Sequence, residues 1–266
     1  MDYSISLTVT EDILKPPEAK RVGDYWVRGL TIYYELPYPF KCKFAVSNLD
    51  HIFVTPGMLK LPTFLKYHNI DWLRQQLQQV KCVEQGALLL HGAAWKKDGV
   101  GYLAVGFMNS GKTTRVLREM CPPGGFTIPR AEAFCSDENV ILDSNGILLP
   151  VARPSSVNRG QIRYFGLPLG LRAKIGLLGA EIRSRLFPIF EPNIWIDLPY
   201  RREAFKLDKL IYLSPGNGKS LRLLTDNEFP FYTNPVLQTY AYATGWDLDG
   251  VYAKYRELLR EVEKCG

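Results

Sequence analysis

The chain has 266 residues, 46% of them hydrophobic and 12% aromatic, with a formal net charge of +6 and a pI near 9.0. That suffices for one large core or a core with an appended lobe, and no window approaches the ~18 uninterrupted apolar residues of a membrane span. Five cysteines without a CxxC pair, and three histidines, argue against a disulfide framework, a zinc site or a His-rich metal site.

The first residues, MDYSISLTVTEDILKPPEAKR, carry no basic-then-apolar leader, so a cytosolic protein is expected. The positive charge favours anionic ligands such as nucleotide phosphates. The basic residues are dispersed with no run of five, which reads as a solvated surface and argues against a nucleic-acid track.

Residues 1–66 are strand-rich. SISLTV, YWVRGLTIYYEL, FKCKFAV and HIFVTPG alternate or cluster β-branched and aromatic residues between turn residues. An antiparallel β lobe is expected there, separate from a domain spanning 67–266. Asn69 or Asp71 can cap a helix to about Val83. Leu73, Leu77 and Val80 share its apolar face, and four glutamines on its polar face read as solvated surface.

Two apolar runs follow, ALLLHGAAW (87–95) and GYLAVGF (101–107), joined through Asp98-Gly99. Asp-Gly between apolar runs predicts a hairpin, so the second strand should pair antiparallel to the first. Residues 106–113 then read Gly-Phe-Met-Asn-Ser-Gly-Lys-Thr, the pattern of a phosphate-binding loop. A helix over 112–120, ended by Cys121-Pro-Pro-Gly-Gly, would add its N-terminal dipole.

The segment assigns roles to its residues. Gly106 and Gly111 permit a tight turn, and Asn109, Ser110 and Thr114 complete the phosphate-facing set. Lys112 would reach the β- and γ-phosphates, and the Thr113 hydroxyl would hold Mg²⁺.

A second metal anchor is usually a carboxylate at the end of a neighbouring strand. Phe134-Cys-Ser-Asp-Glu138 supplies two adjacent acids, which on an extended chain point to opposite sides. Asp137 is assigned to the metal and Glu138 to accepting a proton from a hydroxyl. His91, in the strand paired with the one feeding the loop, is placed beside the phosphates. Arg153 and Arg159 are the candidates for stabilising charge on a transferring phosphoryl group, with Arg201 and Arg202 behind them.

NVILD and ILLPV around Ser144-Asn145-Gly146 predict a second hairpin over 139–150. Residues 150–170 read as irregular. Residues 173–187 suggest a helix weakened by Gly176 and Gly179, KLIYLSP (209–215) a late buried strand, and 249–264 an amphipathic helix with Val251, Tyr255, Leu258, Leu259 and Val262 on one side.

Leu90-His91-Gly92, Asp98-Gly-Val-Gly101, the loop, the paired acids, the second hairpin and Arg153-Pro154 together resemble the HPr kinase/phosphorylase family, within the PEP-carboxykinase-like P-loop proteins. The resemblance covers roughly residues 70–160, with a weaker echo to about 215. It implies an α/β fold with a mixed-sheet P-loop core. It also implies ATP and Mg²⁺ on Gly106–Thr113, His91 close to the phosphates, Asp137 on the metal, and Glu138 as base towards a serine hydroxyl. Glu138 departs from the aspartate of the bacterial regulatory enzymes. The family's Arg-Gly segment that contacts the partner protein is matched by Arg159-Gly160 and loosely by Phe165-Gly166.

The expected activity is therefore an ATP-dependent kinase acting on a hydroxyl of a protein, peptide or small molecule. A homo-oligomer is compatible with it. The alternative is a nucleotide-binding switch without phosphotransfer.

Overall fold

The structure is a computed structural model that describes residues 2–36, 42–60, 70–107, 110–120, 132–151, 155–167, 169–186, 192–196, 202–213, 221, 224–225 and 230–264. Among these residues the chain is mixed α/β, with six α-helices and three sheets. No helix among them is long and apolar enough to cross a membrane. The chain divides into two compact units, Met1–Leu88 with Thr225–Arg260, and Leu89–Leu224 with Glu261–Gly266. The boundary expected near residue 66 is thus displaced. The helix after it and the C-terminal helices belong with the N-terminal strands, because those strands present a face that the helices cover.

The first unit holds β1 (Ser6–Val9), β2 (Lys20–Val22), β3 (Tyr25–Arg28), β4 (Thr31–Glu35), β5 (Lys43–Ser47) and β6 (His51–Val54), in the order β1-β6-β5-β4-β3-β2. Alternation decides which side is buried. Tyr25 and Val27 of β3, and Ile32 and Tyr34 of β4, turn inward. Pairing from β2 to β6 is antiparallel, but β1 lies parallel to β6. The lobe is therefore mixed and not wholly antiparallel. A parallel pair needs a long crossover, and the chain between β1 and β6 provides one.

Helix α1 (Ile70–Glu84) buries Leu73, Leu77 and Val80 as its spacing predicts. Its glutamines depart from expectation, since Gln76 and Gln79 are fully buried. The C-terminal segment covers that face. Asn234, which caps α5 (Pro235–Thr244) by accepting from Val236 N–H at 2.8 Å, donates its amide to Gln76 Oε1. Helix α6 (Leu248–Lys264) follows and buries Tyr255 and Leu259.

The second unit is built on a mixed sheet. Its strands are β7 (Leu88–Lys97), β8 (Val100–Val105), β9 (Ala133–Ser136), β10 (Asn139–Leu142), β11 (Ile147–Pro150), β14 (Phe205–Lys206) and β15 (Lys209–Tyr212). The order is β14-β11-β10-β7-β8-β15, with β9 also paired to β7. Both expected hairpins form. Lys97 faces Val100 across Asp98-Gly99, at φ 51° and 75°, and β10 pairs antiparallel with β11. β15 runs parallel to β8 at the sheet edge, and its residues are exposed or half-buried, not buried as expected.

Residues expected to be irregular form β12 (Ser155–Asn158) and α3 (Arg159–Phe165), and β12 pairs with β13 (Asn193–Ile196). The local cause is a capping box. Asn158 Oδ1 accepts from Gln161 N–H at 2.9 Å, and Gln161 Oε1 accepts from Asn158 N–H at 3.0 Å. Helix α2 (Lys112–Met120) and helix α4 (Leu171–Leu186) complete the unit. Trp95, Phe134, Val116, Leu117, Val157, Phe165 and Ile194 share one buried cluster, which ties the β7–β9 region to α2, α3 and β13. Full burial of one such side chain contributes about 1.5–3 kcal/mol.

Candidate functional site

Strand β8 runs straight into the Gly106–Thr113 segment, whose Met108 and Asn109 lie outside the described residues. The turn is tight. A Cβ on Gly106 would sit 2.3 Å from Ser110 Oγ, and Gly111 takes a φ of 91° that disfavours any side chain. Ser110 N–H donates to Phe107 O at 3.0 Å, and α2 opens with Arg115 N–H on Gly111 O at 2.8 Å. Lys112 is 6% exposed and folds back over the loop, donating to Gly106 O at 2.7 Å and Phe107 O at 2.9 Å. The ammonium is thereby fixed above the turn.

The acids occupy the bend between β9 and β10. β9 pairs with β7 through Ala94–Lys96, Gly92 N–H donates to Glu138 O at 2.9 Å, and β10 continues beside β7. Because the two acids lie at a bend and not within a strand, both line the same cleft, where an extended chain would send them to opposite sides.

Asp137 is 2% exposed. Burial pushes its carboxyl above the usual carboxylate range, against the pull of the Ser155 hydroxyl, the Arg202 guanidinium and the Thr113 hydroxyl. Ser155 Oγ donates to Asp137 Oδ1 at 2.5 Å. Asp137 Oδ2 is buried with no hydrogen-bond partner among the described residues, as is Ser110 Oγ. Glu138 Oε2 lies 3.9 Å from His91 Nδ1, which is also 3.5 Å from Asn139 Oδ1.

A cleft of about 490 Å³ gathers these groups. Gly111, Lys112, Thr113 and Thr114 line it together with His91, Asp137 and Glu138. The rest of the lining is Ser156, Asn158 and Gln161 from β12 and α3, with Arg183 from α4 and Asn193 and Trp195 from β13. Gln161 Nε2 donates to Thr114 Oγ1 at 2.9 Å and so links the two sets. The sequence matches no protein-family model, and no curated protein matches it.

Seven of the expected residues thus share one cleft. Gly106 and Ser110 shape the turn and do not line it. Asn109, Arg153 and Arg201 fall outside the described residues. Arg159 stands apart from the cleft lining, its guanidinium on Glu181 at 2.7 Å with the arginine side chain 61% exposed. Arg202 is not in the cleft lining; its charge acts on Asp137 and it donates to Val151 O.

Sequence reasoning missed Ser155, Gln161, Arg183, Asn193 and Trp195. Only the Asn158–Gln161 capping pattern had a local signal.

The donor set suits Mg²⁺. Among the described residues no group of three His, Cys, Asp or Glu side chains could hold a metal alone. Mg²⁺ commonly takes one or two carboxylates and completes its shell with water and phosphate oxygens. An unpartnered Asp137 Oδ2 near the Thr113 hydroxyl meets that need.

Proposed function

We propose that the chain is a kinase that transfers the γ-phosphoryl group of Mg²⁺·ATP to a hydroxyl, on a P-loop core of the HPr-kinase and PEP-carboxykinase kind. The observation that carries this reading is the meeting of Lys112 and Thr113 with Asp137, Glu138 and His91 in one cleft of about 490 Å³. A buried carboxylate beside a histidine can serve as the base towards an acceptor hydroxyl.

In this reading the N–H groups of the Gly106–Thr113 turn and the Lys112 ammonium bind the phosphates. The Thr113 hydroxyl and Asp137 Oδ2 would hold Mg²⁺, which when bound offsets charge on the β- and γ-oxygens. Glu138 accepts the proton of the acceptor hydroxyl as that oxygen forms its bond to the γ-phosphorus. The bond from the γ-phosphorus to the bridging oxygen breaks, and ADP departs. His91 orients the Glu138 carboxylate from 3.9 Å. The acceptor enters from the side of Asn193 and Trp195.

The test is Glu138→Gln, assayed with γ-labelled ATP against free serine, other small alcohols and cell extract. Labelled product should fall by about 10²–10⁴-fold, the usual contribution of a general base. Nucleotide affinity by calorimetry should stay within about threefold. Wild-type protein that binds Mg²⁺·ATP but labels nothing would leave the nucleotide-binding switch instead. Wild-type protein that binds no nucleotide would remove both readings.

A further inference from the structure

We propose that the outer face of α4 docks an acidic amphipathic helix of another protein. Leu171, Ile175, Leu178 and Ile182 are 75%, 63%, 54% and 51% exposed. Their spacing of four, three and four residues aligns them in one stripe. Leu186, 68% exposed, continues its edge. The inward side of the same helix buries Leu177 and Ala180 in the core cluster. The helix thus has two apolar faces, and the core uses one.

The spacing indicates the form of the partner. Isoleucine and leucine alternate as in the a and d positions of a heptad, the narrow seam that accepts knobs from a second helix. A helix lying on a bilayer needs a broader apolar face than this seam.

The flanks indicate its charge. Arg172 and Arg183 border the stripe on one side, Lys174 and Arg185 on the other, and all four are exposed. The single acid of α4, Glu181, is engaged by Arg159 at 2.7 Å. Flanking charges set partner choice in such seams, so glutamates or aspartates beside an apolar stripe are the complement. A second copy would not supply them, since antiparallel self-pairing brings Arg172 of one copy beside Arg183 of the other. Arg183 also lines the cleft, so a helix seated here borders a residue of the cleft lining.

The test uses the full chain and two labelled peptides of about three heptads, with Ile at a and Leu at d and either Glu or Lys at every e and g. By fluorescence anisotropy the Glu peptide should bind, the Lys peptide should not, and added salt should weaken the complex. Ile175→Glu combined with Ile182→Glu should cut affinity by at least about tenfold with an unchanged circular dichroism spectrum. Lys174→Glu with Arg185→Glu should shift preference towards the Lys peptide, which guards against a merely unfolded stripe variant. Lack of Glu-peptide binding, equal binding of both peptides, or indifference to both variants would overturn the proposal. So would a wild-type dimer that the stripe variant makes monomeric, or stripe-dependent sedimentation with phosphatidylglycerol vesicles.

Discussion

The two walls of the cleft are built differently. The Gly111–Thr114 wall is made by consecutive residues, and the backbone that leads into it sets its geometry: no room for a Cβ at Gly106, a positive φ at Gly111, and a lysine bonded to the carbonyls of Gly106 and Phe107. The second wall is made by residues from β12, α3, α4 and β13, which only their packing brings together. A backbone-built wall has few substitutable parts, and each matters greatly. A wall of dispersed side chains should respond to substitution in smaller and more separable steps, touching acceptor more than nucleotide.

The largest effect should come from Lys112→Ala. In the proposed reading it removes the point charge that meets the β- and γ-phosphates, and charge-assisted bonds of this kind contribute about 1.5–3 kcal/mol each. Affinity for Mg²⁺·ATP measured by calorimetry should drop by about 100-fold or more. It also strips one buried and one half-buried carbonyl of their donor, so a lower Tm is expected alongside. Unchanged affinity would break the comparison, because the backbone-built wall would then not be the nucleotide wall.

Asp137→Asn should come next, and its signature is in pH. Burial is the dominant influence on this carboxyl and raises it above its ordinary value of 3.8. The fold therefore favours the protonated form. That contribution is fully present below the unfolded value and is lost as pH rises through the raised folded value. Thermal denaturation across that range, without nucleotide or metal, should show wild-type stability falling and the Asn variant free of that slope. Mg²⁺ favours the carboxylate, so Mg²⁺·ATP should stabilise wild type at neutral pH, with proton release, and should do so far less for the variant. Equal slopes in the two proteins would show that the buried carboxyl is not the titrating group.

Gln161→Ala probes the join between the walls. Its amide bonds to Thr114 Oγ1, and its carbonyl closes the capping box of α3. Asn158 still accepts from the backbone N–H of residue 161, so losing the reciprocal bond costs about 0.5–1.5 kcal/mol. Gln161→Glu keeps the cap and loses the donor. The Ala variant should therefore lose stability, the Glu variant should keep it, and both should lose a few-fold in nucleotide affinity, about what one neutral hydrogen bond supplies. If only stability moves, the two walls work independently.

These differences in construction also decide what the sequence reveals. The Asp98-Gly99 hairpin, the Asn145-Gly146 hairpin and the Gly106–Thr113 turn are local, since each backbone conformation is specified by residues a few positions apart. Ser155 on Asp137, or Trp195 in one lining with Lys112, depends on strands that pair only after the chain has folded, and nothing local marks them. The buried Gln76 and Gln79 show the same limit in the first unit. Their polarity suggests solvent, yet Asn234, far along the chain, covers and binds the first of them. The parallel placement of β1 beside β6 is likewise a choice of partner that alternation cannot express.

The smallest effect should be that of Arg159→Ala, although the sequence nominates Arg159 for the charge of phosphoryl transfer. Its guanidinium is committed to Glu181, and it does not line the cleft. Exposed ion pairs contribute about 0.2–1 kcal/mol, so Tm should shift by no more than a few degrees. Nucleotide affinity should stay within about twofold, because no bond to the Gly111–Thr114 wall is lost. Arg183, on the dispersed wall, faces the cleft and is the arginine to set beside it. If Arg159→Ala suppresses phosphoryl transfer while Arg183→Ala spares it, α3 must turn its first residue towards the cleft when ligands bind, and the wall of dispersed side chains would be one that rearranges.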